Sequence, residues 1–386
     1  MTSTTSTDTT ESTDSGSDRR SRRNPRRRAM ALSGQRALLS LTGLLLVALS
    51  AGCSGSGEAE SGTESGEDQV VRLLTYDSFA LADETAEAFR EQTGASIEVV
   101  QAGDSGAMLA GALLNAGSPE ADVIFGIDNT TAAEAAEDGF LVAYRPDAVG
   151  ELSDDLDPPA EVVDTLTPID TSEVCVNVDR GWYESEGIAP PESFEDLTLD
   201  RYRDHLVVEN PVNSSPGMAF MLGSIELFGD EGWTDYWQRL RDNGARVSPS
   251  WDDAYYNDYT VSGGDRPLVV SYASSPPAEV VFGEGAVDEP SSGVLEQTCV
   301  SQVEYAGILA GAENPELARE LLDFMLSDQW QQSLPLANFV YPVTDVELPE
   351  EFRKWAPRPE DPIVVDAEAV ADHRDEWLEQ WRSTME

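Results

Sequence analysis

From Val70 onward, apolar and polar positions follow two alternating periods. The run VVRLLTY (70–76) reads as a half-buried strand, LADETAEAFREQT (81–93) spaces its apolar residues at helical intervals and stops at Gly94, and SIEVVQA (96–102) returns to the strand period. SGAMLAGALLNAG (105–117) predicts a helix ended by Gly117, DVIFG (122–126) a short buried strand, and TAAEAAEDG (131–139) a further helix. Such a βαβαβα series needs crossover helices and therefore a parallel sheet. After a Pro- and Asp-rich break at 153–170, a second series begins with the strand SEVCVNVD (172–179). It continues through HLVVEN (205–210), two helical stretches at 217–229 and 231–244, ARVSP (245–249), the helical WDDAYYNDY (251–259) and PLVVSY (267–272). CVSQVEYAGIL (299–309) is a strand, and helices are predicted near 313–327, 328–335 and 366–383.

Open α/β sheets bind ligands beyond the carboxyl ends of their strands, at helix N-termini. Polar, aromatic and Gly-rich stretches fall at those points: TYDSF (75–79), GDSG (103–106), GIDN (126–129), NPVNSSPG (210–217) and SYASSPP (271–277). Five such ends in two α/β series describe a cleft between two lobes. The length of 386 residues agrees, because single cores stop growing near ~250–300 residues.

Charge narrows the partners. The chain carries 73 acidic and 24 basic residues, and since four and eight of these precede residue 53, the remainder holds 69 against 16. Nucleic acid is excluded as a partner by that balance. Lys354 is the only lysine, so nearly every cation is a guanidinium. Self-repulsion of this size is relieved when molar salt shortens the Debye length to about 3 Å, which points to a protein adapted to very high salt.

The N-terminal segment is a basic, paired-arginine region followed by an apolar run from Ala37 to Ala51, short for a membrane span and right for an export signal. It closes on LSAGC, which resembles a lipobox with Cys53 as the lipidated residue. Residues 54–69 are Gly/Ser/Glu-rich and read as a flexible acidic tether. Cleaved and lipidated, or retained as an anchor, the segment places the domain extracytoplasmically, tethered to the outer face of the cell membrane. Cys175 and Cys299 remain, and a single bridge or two buried thiols both fit.

The stretches TYDSFA (75–80), DVIFGIDN (122–129), NSSPG (213–217), SWDDAY (250–255), VVSYASSP (269–276), QVEYAG (302–307) and NFVYPV (338–343) resemble, in order and spacing, the thiamine-binding periplasmic protein family, the substrate-binding components of thiamine ABC importers. The resemblance covers residue 71 to about 384. It implies an α/β type II periplasmic-binding-protein fold, two lobes joined by crossing hinge segments near 170–175 and 296–301. Lobe 1 is expected to comprise 70–172 plus 300–386, and lobe 2 to comprise 173–299. It implies a monomer that binds thiamine or its phosphates without turning it over, needs no cofactor or metal, and delivers its ligand to a permease and an ATPase. The ligand contacts carried over are Asp104 and Ser105 in the first lobe, then Ser214, Ser215, Trp251, Tyr272, Ala273, Ser274 and Ser275 in the second, with Tyr76 added from its motif. Ser105 stands where the family commonly has Gly, and Phe339 where relatives place Trp.

The residues themselves suit a thiazolium ring joined to an aminopyrimidine. Trp251 and Tyr272 offer aromatic faces, worth on the order of 0.5–2 kcal/mol against a desolvated cation. Asp104 can accept from the amino group, or cap the helix that begins at Ser105, two compatible roles. NSSPG reads either as hydroxyls facing a phosphate tail or as plain helix capping. Three alternatives stay open. GDSG (103–106) suggests a membrane-anchored hydrolase, although His205 and His373 both lie downstream of Ser105, the wrong order for a trypsin-like triad. The adjacent Tyr255 and Tyr256 suggest ferric iron, although helical neighbours diverge by about 100°. A polyamine is the third, and it calls for several carboxylates along a channel. The chain has no phosphate-binding loop of the G-x-x-x-x-G-K-[ST] type.

Overall fold

The computed structural model describes residues 69–385 except 137, 138 and 284, so the expected export segment 1–53 with Cys53, and the tether up to residue 68, lie outside the described residues. The strands in chain order are β1 (Val70–Thr75), β2 (Ser96–Gln101), β3 (Val123–Asp128), β4 (Leu141–Val142), β5 (Thr167–Asp179), β6 (Leu206–Glu209), β7 (Arg246–Ser248), β8 (Leu268–Tyr272), β9 (Ser292–Leu309) and β10 (Tyr341–Pro342). They join one sheet in the order β2-β1-β3-β9-β5-β8-β6-β7, with β4 beside β9 and β10 beside β5. β1 is parallel to β2 and β3, and β6 is parallel to β7 and β8, the pattern that crossover helices impose.

Two long antiparallel strands, β5 and β9, connect the parallel blocks. The C-terminal half of β9 pairs with β3 and Val174–Val178 of β5 pairs with β8, so each strand serves one block and the ladder between them joins the two. Strand alternation then sorts side chains onto two faces. Ala306 and Ile308 of β9 join Val71, Leu73, Phe89, Leu321 and Trp330 in one core, whereas Val303, Tyr305 and Leu309 join Met108, Ile124 and Phe140 in another on the opposite face. Val174, Val176 and Val178 of β5 belong to a third core with Phe220, Trp233, Trp237 and Leu268. The first two cores make one lobe and the third makes the other.

Local chemistry sets the helix ends that matter for the site. Helix Asp83–Thr93 ends at Gly94, whose φ of 77° suits a residue without Cβ. Helix Ser105–Leu114 is capped by Asp104, whose side chain accepts from the Ser105 amide. The two helical stretches predicted at 217–229 and 231–244 are found within Ser215–Asp242 and are separated at Gly229, whose φ 68° and ψ 172° are not helical. TAAEAAEDG yields only the short 3-10 turn Ala132–Ala136. There the carboxylate of Asp128 accepts from the Thr130 amide and from both threonine hydroxyls, which tightens the chain before a full helix can start.

Cys175 and Cys299 are disulfide-bonded and cross-link β5 to β9, with Cα atoms 4.1 Å apart, beside the register shift between Val174 and Val176. The C-terminal helix Ala367–Met385 departs from the expected domain division. Its Val370, Trp377, Leu378 and Trp381 pack into the second lobe's core, with Trp381 edge-on to Trp237 at 5.6 Å, rather than with the rest of 300–386 in the first lobe. An amphipathic helix carries an apolar stripe but no address, and here the complementary surface is the helix Ser215–Asp242.

Candidate functional site

Between the lobes, at the carboxyl ends of β1 and β8 and around the helix starts at Ser105 and Trp251, lies a cavity with about 950 Å³ of atom-free space, mouth included. The first lobe contributes Tyr76, Ser78, Asp104, Ser105, Glu304 and the segment 337–340, and the second contributes Trp251, Tyr255, Tyr256, Tyr272, Ser275, Ala278 and Phe282. Aromatic rings dominate these walls, the lining carries two carboxyl groups, and no Lys, Arg or His is among the lining residues.

Trp251 is held rigidly. Its indole N–H donates to Ser271 Oγ at 2.9 Å, Tyr255 stacks on it at 4.9 Å and 19°, and Tyr272 is tilted towards it at 6.2 Å. Tyr256 meets it edge-on at 5.5 Å and is half exposed at the mouth. Trp251 and Tyr255 occupy the start of a helix that widens into π geometry over Ala254–Asp258, a form often found at functional sites.

The lobes are in contact across the cavity. The Asp104 carboxylate accepts from the Ser105 amide on its own lobe and from the Trp251 amide on the other, at 2.8 and 2.9 Å. Gly106 and Ala107 donate their amides to the Asn213 carbonyl at 2.9 and 3.3 Å. Ser105 Oγ donates to Ser215 Oγ at 2.7 Å and accepts from the Ser215 amide at 3.1 Å, and Ser215 Oγ in turn donates to Asp128. Gly106 is required at this seam, since a Cβ there would sit 2.8 Å from the Val212 carbonyl oxygen and 2.9 Å from Asn213 backbone atoms.

Electrostatics of the cavity are those of buried acids. Burial pushes the Asp104 carboxyl above the usual carboxylate range, against the amide donors that favour its charge. Burial, and then the neighbouring Asp128, push Glu304 up as well. Tyr76 donates to Glu304 at 3.2 Å, and burial with the nearby carboxylates holds Tyr76 and Tyr272 as neutral phenols far above their ordinary value.

A model of the bacterial extracellular solute-binding protein family matches residues 118–360. The chain belongs to that family. Among curated relatives, this solute-binding protein is 27% identical over 322 residues to the thiamine-binding periplasmic protein of Escherichia coli (strain K12), covering 82% of this chain and 93% of the relative. A solved periplasmic thiamin binding protein superposes with a TM-score of 0.71 at 24% identity, covering 83% of this chain and 98% of that one. Iron-bound HitA from Pseudomonas aeruginosa superposes with a TM-score of 0.65 at 17% identity, covering 82% and 99%. The fold is that of a type II periplasmic binding protein.

Within this solute-binding protein, six of the ten residues expected at the site line the cavity: Tyr76, Asp104, Ser105, Trp251, Tyr272 and Ser275. Ser214, Ser215, Ala273 and Ser274 are buried behind that lining. Asp104 caps its helix and also lines the cavity. Sequence reasoning missed Glu304, Phe282 and Asn338 as lining residues, and treated Phe339 only as a departure from the family. A single acid in the otherwise apolar run VEYAGIL (303–309) was the available signal for Glu304. His205 packs against Tyr183 and Trp182, and His373 against Trp377, so neither imidazole approaches Ser105.

Proposed function

We propose that this solute-binding protein captures thiamine, or a thiamine phosphate, between its lobes and delivers it to the permease and ATPase of an ABC importer. The observation that carries this reading is the cavity itself: several aromatic faces and two carboxyls, with no basic side chain in its lining. A flat organic cation fits such walls, because a quaternary ring gains both from aromatic faces and from nearby carboxylates. The relatives named as thiamine-binding proteins support the same choice. Trp251 and Tyr272 are the stacking faces, Asp104 is the acceptor for the amino group, and Ser105 and Ser275 place hydroxyl groups in the wall beside the ligand. The protein is not an enzyme in this reading, since Ser105 donates its hydroxyl proton to Ser215 rather than to an imidazole, and both histidines pack elsewhere.

The finer setting belongs to the same proposal. Cys53 carries a lipid, residues 54–69 tether the domain to the outer face of the membrane, and the surplus of 69 acidic over 16 basic residues beyond the signal suits molar salt. Titration of the exported domain with thiamine in molar salt, following tryptophan fluorescence, tests it. Saturable quenching is expected, because Trp251 is in the wall.

Ferric iron is the rival favoured by a specific observation, since Tyr255 and Tyr256 both line the cavity and iron-bound HitA shares the fold. Their rings stand at 83° to each other, and the face of Tyr255 is taken by Trp251. Among the described residues no cluster of three His, Cys, Asp or Glu side chains forms a metal site. Binding of ferric ion or spermidine without response to thiamine would reverse the choice of ligand.

A further inference from the structure

Glu304 and Asp170 are direct partners across the β5–β9 ladder. Cross-strand partners in an antiparallel pair share a face, and like charges directly opposite destabilise. Glu304 is 4% exposed and lines the cavity, while Asp170 is wholly buried with neither carboxyl oxygen hydrogen-bonded. No ion pair among the described residues involves Glu304, Asp170 or Asp128. The groups facing Glu304 are the Tyr76 hydroxyl from the end of β1, the Gln302 amide at 3.4 Å, and the acids Asp128, Asp104 and Asp170, with Tyr272 opposite from β8. None of these is a cation. An uncompensated buried carboxylate costs several kcal/mol, so without a cation both acids of the pair stay protonated.

We propose that Glu304 is the counter-ion for an organic cation in this cavity, and that the cation binds by displacing the proton from the Glu304–Asp170 pair to solvent. The balance is simple: both acids of the pair are protonated beforehand, Glu304 loses its proton to solvent while Asp170 keeps its own, the ligand brings one fixed positive charge, and the net charge of the cavity is unchanged. Only ligands that carry a positive charge gain from the exchange, which makes Glu304 a residue that selects thiazolium over neutral heterocycles of the same shape. Burial, together with Asp128, holds the Glu304 carboxyl above the ordinary range, in agreement with that role. This inference rests on the thiamine reading.

Calorimetry of thiamine binding at pH 7 in two buffers of different ionisation enthalpy counts the protons released. Nearly one proton per thiamine is expected from the unaltered protein, and none with the neutral alcohol 4-amino-5-hydroxymethyl-2-methylpyrimidine. Glu304→Gln is expected to bind thiamine at least about tenfold more weakly and to release little. Asp170→Asn, which alters a residue outside the cavity lining and keeps a neutral group beside Glu304, is expected to bind with the proton count still near one. Thiamine binding without proton release, equal release with the neutral pyrimidine, or full release from folded Glu304→Gln overturns the proposal. No thiamine binding at all removes the thiamine reading, and this proposal with it.

Discussion

Alanine at position 106 separates the seating of the lobes from the walls of the cavity. The added Cβ would lie 2.8 Å from the Val212 carbonyl oxygen and 2.9 Å from the carbon and oxygen of Asn213, all backbone atoms that cannot swing aside. Ordinary contact begins near 3.4 Å, so the lobes must part by roughly 0.5 Å at the seam. The amides of Gly106 and Ala107 now reach the Asn213 carbonyl at 2.9 and 3.3 Å. Both bonds then pass beyond the useful range, at a net cost of about 0.5–1.5 kcal/mol each. The total of about 1–3 kcal/mol corresponds to thiamine binding weakened about 5- to 150-fold. The same substitution lies inside the helix Ser105–Leu114, where Ala is favoured over Gly by roughly 0.5–1 kcal/mol. The melting temperature without ligand is therefore expected to hold or rise while affinity falls, an opposition that general damage to the fold does not produce. Fluorescence titration and a thermal melt on one preparation read both quantities. Affinity within twofold of the unaltered protein refutes the idea that closure across this seam contributes to binding.

Other expectations follow from single features of the structure. Trp251→Ala removes a wall held by Ser271 and Tyr255, and thiamine affinity measured by calorimetry should drop about 3- to 30-fold; no change removes the residue from the site. Replacing Cys175 and Cys299 by Ser opens a link across 124 residues of sequence, which at the loop-entropy scale is about 5 kcal/mol, so melting should fall by about 5–10 °C and a reductant should reproduce the loss. Stability should fall as pH rises from about 5 to 8. In that window the folded protein keeps the proton on Glu304, pushed up to about 8 by burial and Asp128, that the unfolded chain has already released, and burial of Asp170 and Glu209 acts in the same direction. Each such proton contributes about 1.4 kcal/mol per pH unit. Glu304→Gln should flatten the slope, and a melting temperature that rises across this window contradicts the buried-acid account.

Much of this architecture is legible in the order of residues. The half-buried runs become β1 and β2, the short apolar runs become β3, β6 and β8, and the strand-end placement of GDSG brings Asp104 and Ser105 to the cavity, because backbone pleat and helix capping act over a few residues. The second series gives Trp251 and Tyr272 the same way. What stayed hidden depends on contacts between distant segments. Ser215 is drawn under Ser105 and away from the lining because the lobes meet there, 110 residues apart in sequence. The C-terminal helix finds its groove on the helix Ser215–Asp242 rather than on its sequence neighbours. Glu304 gains its significance from a ladder register that sets it against Asp170, which no local pattern encodes. The sequence by itself therefore determined the strands, the helix starts and the side chains they present, since those follow from local periodicity and capping. The tertiary structure alone decided which of them share the cavity and which carboxyls must stay protonated, since burial and charge proximity exist only once β5 and β9 have crossed.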